Sequence, residues 1–361
     1  MVKKLSRIGL IALIMSTAVM LTVAPAHAIK FSISGQINRA VMYANDGNDG
    51  EWFFVDNDNS STRFRFKGSN KFKDGWKAGL LWEVEMQSNP SNDVNMDSDS
   101  DIPDDVTFNE RHMDIWFGKE FKVRLGQGDT ASNGTAEVDL SGTTVAAYSS
   151  VSDVGGGFEF KENGRNVGVS VKESRTNFDG LGRRDRIRFD TPKWEGFYGS
   201  ISFMGNSEWD AAVRYSRYLK GTGRLAAAVG WADYGNSSDS NGGRYNGQFS
   251  SSASMLFNSG LSVTASYAYR DQDGNGSEPT NLFGKIGYTF KKKHTVSAQY
   301  SRTEHLAREN DEGDTFGLGY VFSPWASVEI YGTYYLHMLD RDGRGNIDDI
   351  DVVMAGARVK F

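Results

Sequence analysis

Cations recur at every second position in three places: Arg63-x-Arg65-x-Lys67, Lys122-x-Arg124 and Arg184-x-Arg186-x-Arg188. Residues two apart on an extended chain share one face and lie about 6.7 Å apart. Each run is therefore a ladder of fixed positive charge, able to attract and order anions or to be neutralised by carboxylates. That chemistry is electrostatic and breaks no covalent bond. Groups for bond-breaking chemistry are sparse. There is no cysteine, and beyond residue 28 the histidines are His112, His294, His305 and His337, with no H-E-x-x-H pair and no Ser–His spacing; no enzyme is expected. Asp340-x-Asp342-x-x-Gly345-x-Ile347-x-x-x-Asp351 echoes a calcium loop, and Asp271-x-Asp273-x-Asn275-Gly276 does so more faintly. Arg344 at the fifth position and the lack of flanking helices fail the EF-hand pattern. Asp340, Asp342 and Asp351 remain weak candidates for loosely bound calcium, and no other cofactor is expected. An excess of 46 acidic over 40 basic residues speaks against nucleic-acid binding.

The ladders need strands to hold them, and the chain supplies the alternation. Ala78, Leu80, Trp82, Val84 and Met86 oppose Lys77, Gly79, Glu83 and Glu85. Leu261, Val263, Ala265, Tyr267 and Tyr269 oppose Ser262, Thr264 and Ser266. Period-two patterning of this length predicts half-buried strands. The region 110–117 is ambiguous, because His112, Asp114 and Trp116 compete with Arg111, Met113 and Ile115 for the inward face. Sixteen strands are expected, from 31–43 to 351–361. Their connections alternate between turns of a few residues and long polar loops at 45–60, 88–107, 235–244, 271–280, 303–313 and 338–349. One face of each strand is apolar and aromatic; the other carries Ser, Thr, Gly, Gln, Arg and Lys. An even strand number with long loops at one end predicts an all-β, transmembrane antiparallel barrel. At this size a polar inner face implies water inside. No run beyond the first residues reaches the length of a spanning helix.

The N-terminus fits an exported chain. Lys3, Lys4 and Arg7 precede an apolar run, and Ala26-His27-Ala28 resembles a cleavage site. Residues 1–28 are expected to be a signal peptide and 29–361 a single barrel. Removal of the three cations takes the net charge from −6 to −9. The rhythm of strands fails once, from about 130 to 183. An insert of that length in a compact domain is either functional or a misread element. Phe158–Phe160 and Val167–Val171 look like a small hairpin; if they joined the wall the barrel would have eighteen strands.

The strand Ser61–Gly68, the strand 121–128, Arg186-Ile187-Arg188-Phe189-Asp190-Thr191-Pro192 and the terminal Gly356-Ala357-Arg358-Val359-Lys360-Phe361 occur in an order that resembles the general-diffusion porins of Gram-negative outer membranes. The resemblance spans 29–361. It implies a passive diffusion channel for small hydrophilic solutes and ions, with a third loop, about 130–183, folded into the lumen. Loop acids Glu137 and Asp139 would face wall cations Arg63, Arg65, Lys67, Arg124, Arg186 and Arg188, with Arg214 beside them. Gly126-Gln127 stands where many members carry Gly-Arg, so one rung is absent. The arginine cluster also suits an alternative, an anion-preferring porin with a saturable site. Family partners would be two further copies in a homotrimer, outer-membrane lipid and lipopolysaccharide, and the barrel-assembly machinery reading Phe361.

Overall fold

Nineteen strands form in the computed structural model, which describes residues 29–97, 107–235, 245–272 and 276–361. The expected signal peptide lies outside these residues. The strands are β1 (Lys30–Asn45), β2 (Gly50–Asp56), β3 (Arg63–Lys71), β4 (Lys77–Gln87), β5 (Thr107–Gly118) and β6 (Lys122–Asp129). Next come β7 (Glu159–Glu162), β8 (Arg165–Ser170), β9 (Arg183–Asp190), β10 (Phe197–Met204), β11 (Trp209–Leu219), β12 (Gly223–Asp233) and β13 (Tyr245–Phe257). The last are β14 (Leu261–Gln272), β15 (Thr280–Phe290), β16 (His294–Glu304), β17 (Glu312–Trp325), β18 (Val328–Asp340) and β19 (Ile350–Lys360).

Every wall neighbour is antiparallel, and β1 pairs with β19 to close the barrel, from Gln36↔Lys360 to Asn45↔Asp351. On its other side β1 pairs first with β3 and then with β2. These two lie in one line, broken by a short turn at Asp58–Ser60. Counted as one, they give sixteen wall strands. Closure satisfies the backbone without a free edge, which a bilayer requires. Phe361 completes the seam: its N–H donates to the Gly35 carbonyl at 3.0 Å, and Gly35 N–H donates back at 2.9 Å.

Three expectations change. The segment 45–60 is not all loop, because Gly50–Asp56 pairs with β1. Its run Trp52-Phe53-Phe54-Val55 is apolar on both faces, so it carries no alternation to read. The eighteen-strand alternative fails: β7 and β8 pair only with each other. The inward face is also not polar throughout. Trp52 and Phe54 point out, while Phe53 and Val55 point in and are buried with Met42, Ile350, Val352 and Met354.

The ambiguous strand β5 resolves through a β-bulge. The register with β4 slips between Glu83↔His112 and Val84↔Glu110, leaving Arg111 without a partner in the ladder. The extra residue lets Arg111, His112 and Asp114 all reach inward partners while Met113 and Ile115 stay exposed outside.

Candidate functional site

Residues 130–182 leave the wall between β6 and β9 and bind the inward faces of β11, β13 and β15 in turn. Thr130 N–H donates to the Gly182 carbonyl at 3.0 Å and closes the neck. Asp210 of β11 accepts from the N–H groups of Ala131 and Ser132 at 3.0 and 2.7 Å. Arg214 donates to the carbonyls of Ala131 and Asn133. The next limb runs along β13. Ser252 and Ser254 accept from Val138 and Leu140 N–H, both at 2.9 Å, and Ser252 donates to the Thr135 carbonyl. Inward serines at every second position meet N–H groups at every second position of the limb, because both chains are extended. Small residues allow the approach. A Cβ on Gly319 would lie 2.8 Å from that of Ala147, and one on Gly230 2.9 Å from Thr135 Oγ1.

Asp139 departs from its expected role. Its carboxylate accepts from Lys285 Nζ of β15 at 2.8 Å, and the same ammonium donates to the Ala147 carbonyl at 2.6 Å. The two side chains are 5% and 0% exposed. Asp139 is a buried anchor on the back of the limb and does not face the wall arginines. A carboxylate reads the same in sequence on either side of a loop. Only the depth of the wall beside it separates anchor from lining.

Glu137 faces the open side. It accepts from Tyr148 Oη at 2.6 Å and from Asn177 at 2.9 Å. With the loop residues Asp153 and Asp179 it lines a cavity of about 460 Å³ that the wall residues Asp58, Arg63, Arg111 and Arg183 also line. These three arginines also line a second cavity of about 400 Å³ with Arg65, Lys67, Arg124, Arg186 and Arg188. Burial and the neighbouring Asp58 raise the Asp153 carboxyl well above the usual range; burial and Glu137 do the same to Asp179. Burial and Glu137 likewise push the Tyr148 hydroxyl up.

The wall cations outnumber their acids. Glu83 is shared by Arg63 at 3.6 Å, Arg65 and Arg111 at 3.2 Å. Glu85 takes Arg111 at 2.6 Å. Asp114 takes Arg124 at 3.2 Å and Arg186 at 2.8 Å, and Asp190 takes Arg124 and Arg188. Arg183 pairs with Asp129. Seven of the eight cations around the second cavity thus share five carboxylates, and the eighth, Lys67, has no ion partner among the described residues. They differ in freedom. Arg186 is 3% exposed and spends its donors on Asp114 and two backbone carbonyls, whereas Arg65 and Lys67 stay open to the lumen.

Arg111, Arg183, Asp58, Asp153 and Asp179 escaped the sequence reading. Arg111 was hidden by the bulge, and the two loop aspartates lie where no period places them. The calcium candidates are spread among other partners. Asp342 accepts from Asn310 at 3.2 Å, and Asp351 from Tyr334 Oη at 2.5 Å. Asp340 is exposed at the end of β18. Among the described residues no group of three or more His, Cys, Asp or Glu is arranged so that it could hold a metal ion.

The sequence profile of Gram-negative porins matches residues 16–342. No curated protein matches the chain. Among solved structures it is similar to an anion-selective porin from Comamonas acidovorans, with TM-score 0.64 and 14% identity over 92% of this chain and 100% of that one. It is similar also to the trimer form of OmpT, an outer membrane protein of Vibrio cholerae, with TM-score 0.59 and 13% identity, and to a mutant porin of Rh. blastica, with TM-score 0.56 and 14% identity. Both cover 92% of this chain and 100% of their own. At such identities the structures speak to fold alone; with the profile match and the closed barrel, the chain belongs to the Gram-negative porins, passive diffusion channels integral to the outer membrane.

Proposed function

We propose that the limiting passage runs between the loop face that carries Glu137, Asp153 and Asp179 and the arginine face of β3, β5 and β9, and that it favours anions. The surplus of wall cations over their carboxylates carries this reading. Unlike charges facing each other across a narrow water-filled gap set up a transverse field, and low-dielectric walls focus it. Solutes pass by diffusion. Conductance in planar bilayers should rise with salt concentration without saturating. A plateau, or block of the ion current by low concentrations of a small anion, would favour a saturable anion site in the second cavity instead.

The outer wall near the termini is read as the interface of a homotrimer. Arg39 supports this. It lies outward at the middle of β1 between Ile37 and Val41, 43% exposed, held at 3.8 Å from Asp56 and donating to Ser88. An arginine facing hydrocarbon at mid-depth costs about 2–4 kcal/mol, a cost removed where another subunit covers it. An unheated gel band near three times the monomer mass is expected.

A further inference from the structure

The inward face is polar around both cavities and apolar on another side of the barrel. Met42 of β1, Phe53 and Val55 of β2, and Ile350, Val352 and Met354 of β19 all point inward and are buried. Such a surface could not line a water-filled lumen without a large hydrophobic cost. It is covered by Phe158, Phe160, Val167, Val169 and Val171, from the hairpin β7–β8 and its flanks. The Phe53 and Phe158 rings meet edge to face with centroids 5.5 Å apart.

Polar groups bolt the hairpin at both ends. Arg175, just beyond it, is fully buried over the Phe160 ring and donates to Thr315 Oγ1 at 2.8 Å, to the Asp314 carbonyl at 2.8 Å and to the Met338 carbonyl. The hairpin tip is tied to the surrounding connections. Lys161 pairs with Asp46 at 2.7 Å, Glu162 accepts from Arg344 and from Gly345 N–H, and the Lys161 carbonyl accepts from Asp348 N–H. Gly155 N–H donates to the Ser91 carbonyl at 2.9 Å.

We infer that residues 158–171 are a permanent plug that removes this side of the barrel from the aqueous path and narrows it beyond what the limb 135–148 alone would leave. A gate would need a second resting place for two apolar surfaces. Opening would hand both to water. This inference requires only that the barrel conducts. It stands apart from which charges line the constriction.

The chain has no cysteine, so single thiols can be read without background. Val169→Cys and Val352→Cys place a thiol on the plug and on the wall beneath it; Thr144→Cys places one on the first cavity. A charged, membrane-impermeant methanethiosulfonate applied to the assembled channel should label positions 169 and 352 roughly a hundredfold or more slowly than 144, since reaction must wait for opening of a packed core. Rates at 169 and 352 comparable to that at 144 would overturn the plug, because water would then pass beneath the hairpin. A second variant replaces 159–170 with an Asn-Gly turn, between Phe158 and Val171, whose carbonyl and N–H already meet at 2.9 Å. Its single-channel conductance should rise, and larger neutral sugars should pass. An assembled variant with unchanged conductance would contradict the inference. Should that variant fail to assemble, the labelling rates decide.

Discussion

At the scale of single residues, the site works by unequal sharing. One carboxylate, Glu83, serves three guanidiniums. Glu83→Gln should therefore raise anion preference while leaving the barrel intact, seen as a reversal potential moved further toward the anion limit. Lys285 and Asp139 are the opposite case, a buried pair with little exposure. Removing one partner strands the other charge, at about 3–5 kcal/mol. Lys285→Met should loosen the limb 139–147, giving noisier and larger conductance, and Asp139→Asn in the same chain should recover part of the loss. Acid acts on the loop side. The raised Asp153 and Asp179 take up protons above the ordinary carboxylate value of 3.8. As pH falls through their raised values, the loop face loses negative charge and anion selectivity should grow before ordinary carboxylates titrate. The stability effect has a definite sign. Both groups hold the proton more tightly folded than unfolded, so their contribution is complete below 3.8 and is lost as pH rises through the raised values. Reversal potentials measured across a pH series check the first effect, and denaturant melts the second.

At the scale of elements, the loop is placed by the wall more than by its own sequence. Ser252 and Ser254 receive its backbone, and Gly230 and Gly319 make room. Gly319→Val should push the limb at Ala147 into the passage or off the wall, changing single-channel conductance without changing the strand content seen by circular dichroism. The strands themselves were legible because a two-residue period is forced wherever one face meets lipid and the other water. Where both faces are apolar the period disappears, and so Trp52–Val55 was missed. The same cause hid the plug bed: Met42, Val352 and Met354 looked like ordinary strand residues, and nothing local says that a segment more than a hundred residues away covers them. The wall ladder Arg63, Arg65 and Arg124 could be read from spacing. Arg111 could not, because a bulge alters the face without altering composition. The division of Glu137 from Asp139 depends on which side of the limb meets β15, a tertiary fact.

At the scale of the whole molecule, closure and assembly meet at one seam. Phe361 pairs through its backbone with Gly35, yet its ring is 65% exposed on the outer face. Deleting Phe361 should lower the yield of assembled barrel in the outer membrane, measured by heat-modifiable mobility, and a full yield would separate the seam from assembly. Arg39→Leu should strengthen the monomer's hold on lipid and leave the pore untouched. If the outer face near the termini is an interface, the trimer band should shrink. The central claim, a passage bounded by loop acids and wall arginines, is tested most directly by the reversal potential across a potassium chloride gradient. The wild-type channel should favour chloride, and Arg63→Gln with Arg111→Gln should move the potential toward the cation limit, while Arg217→Gln, exposed and paired with Glu195, should not. An unmoved potential in the double variant would contradict the account.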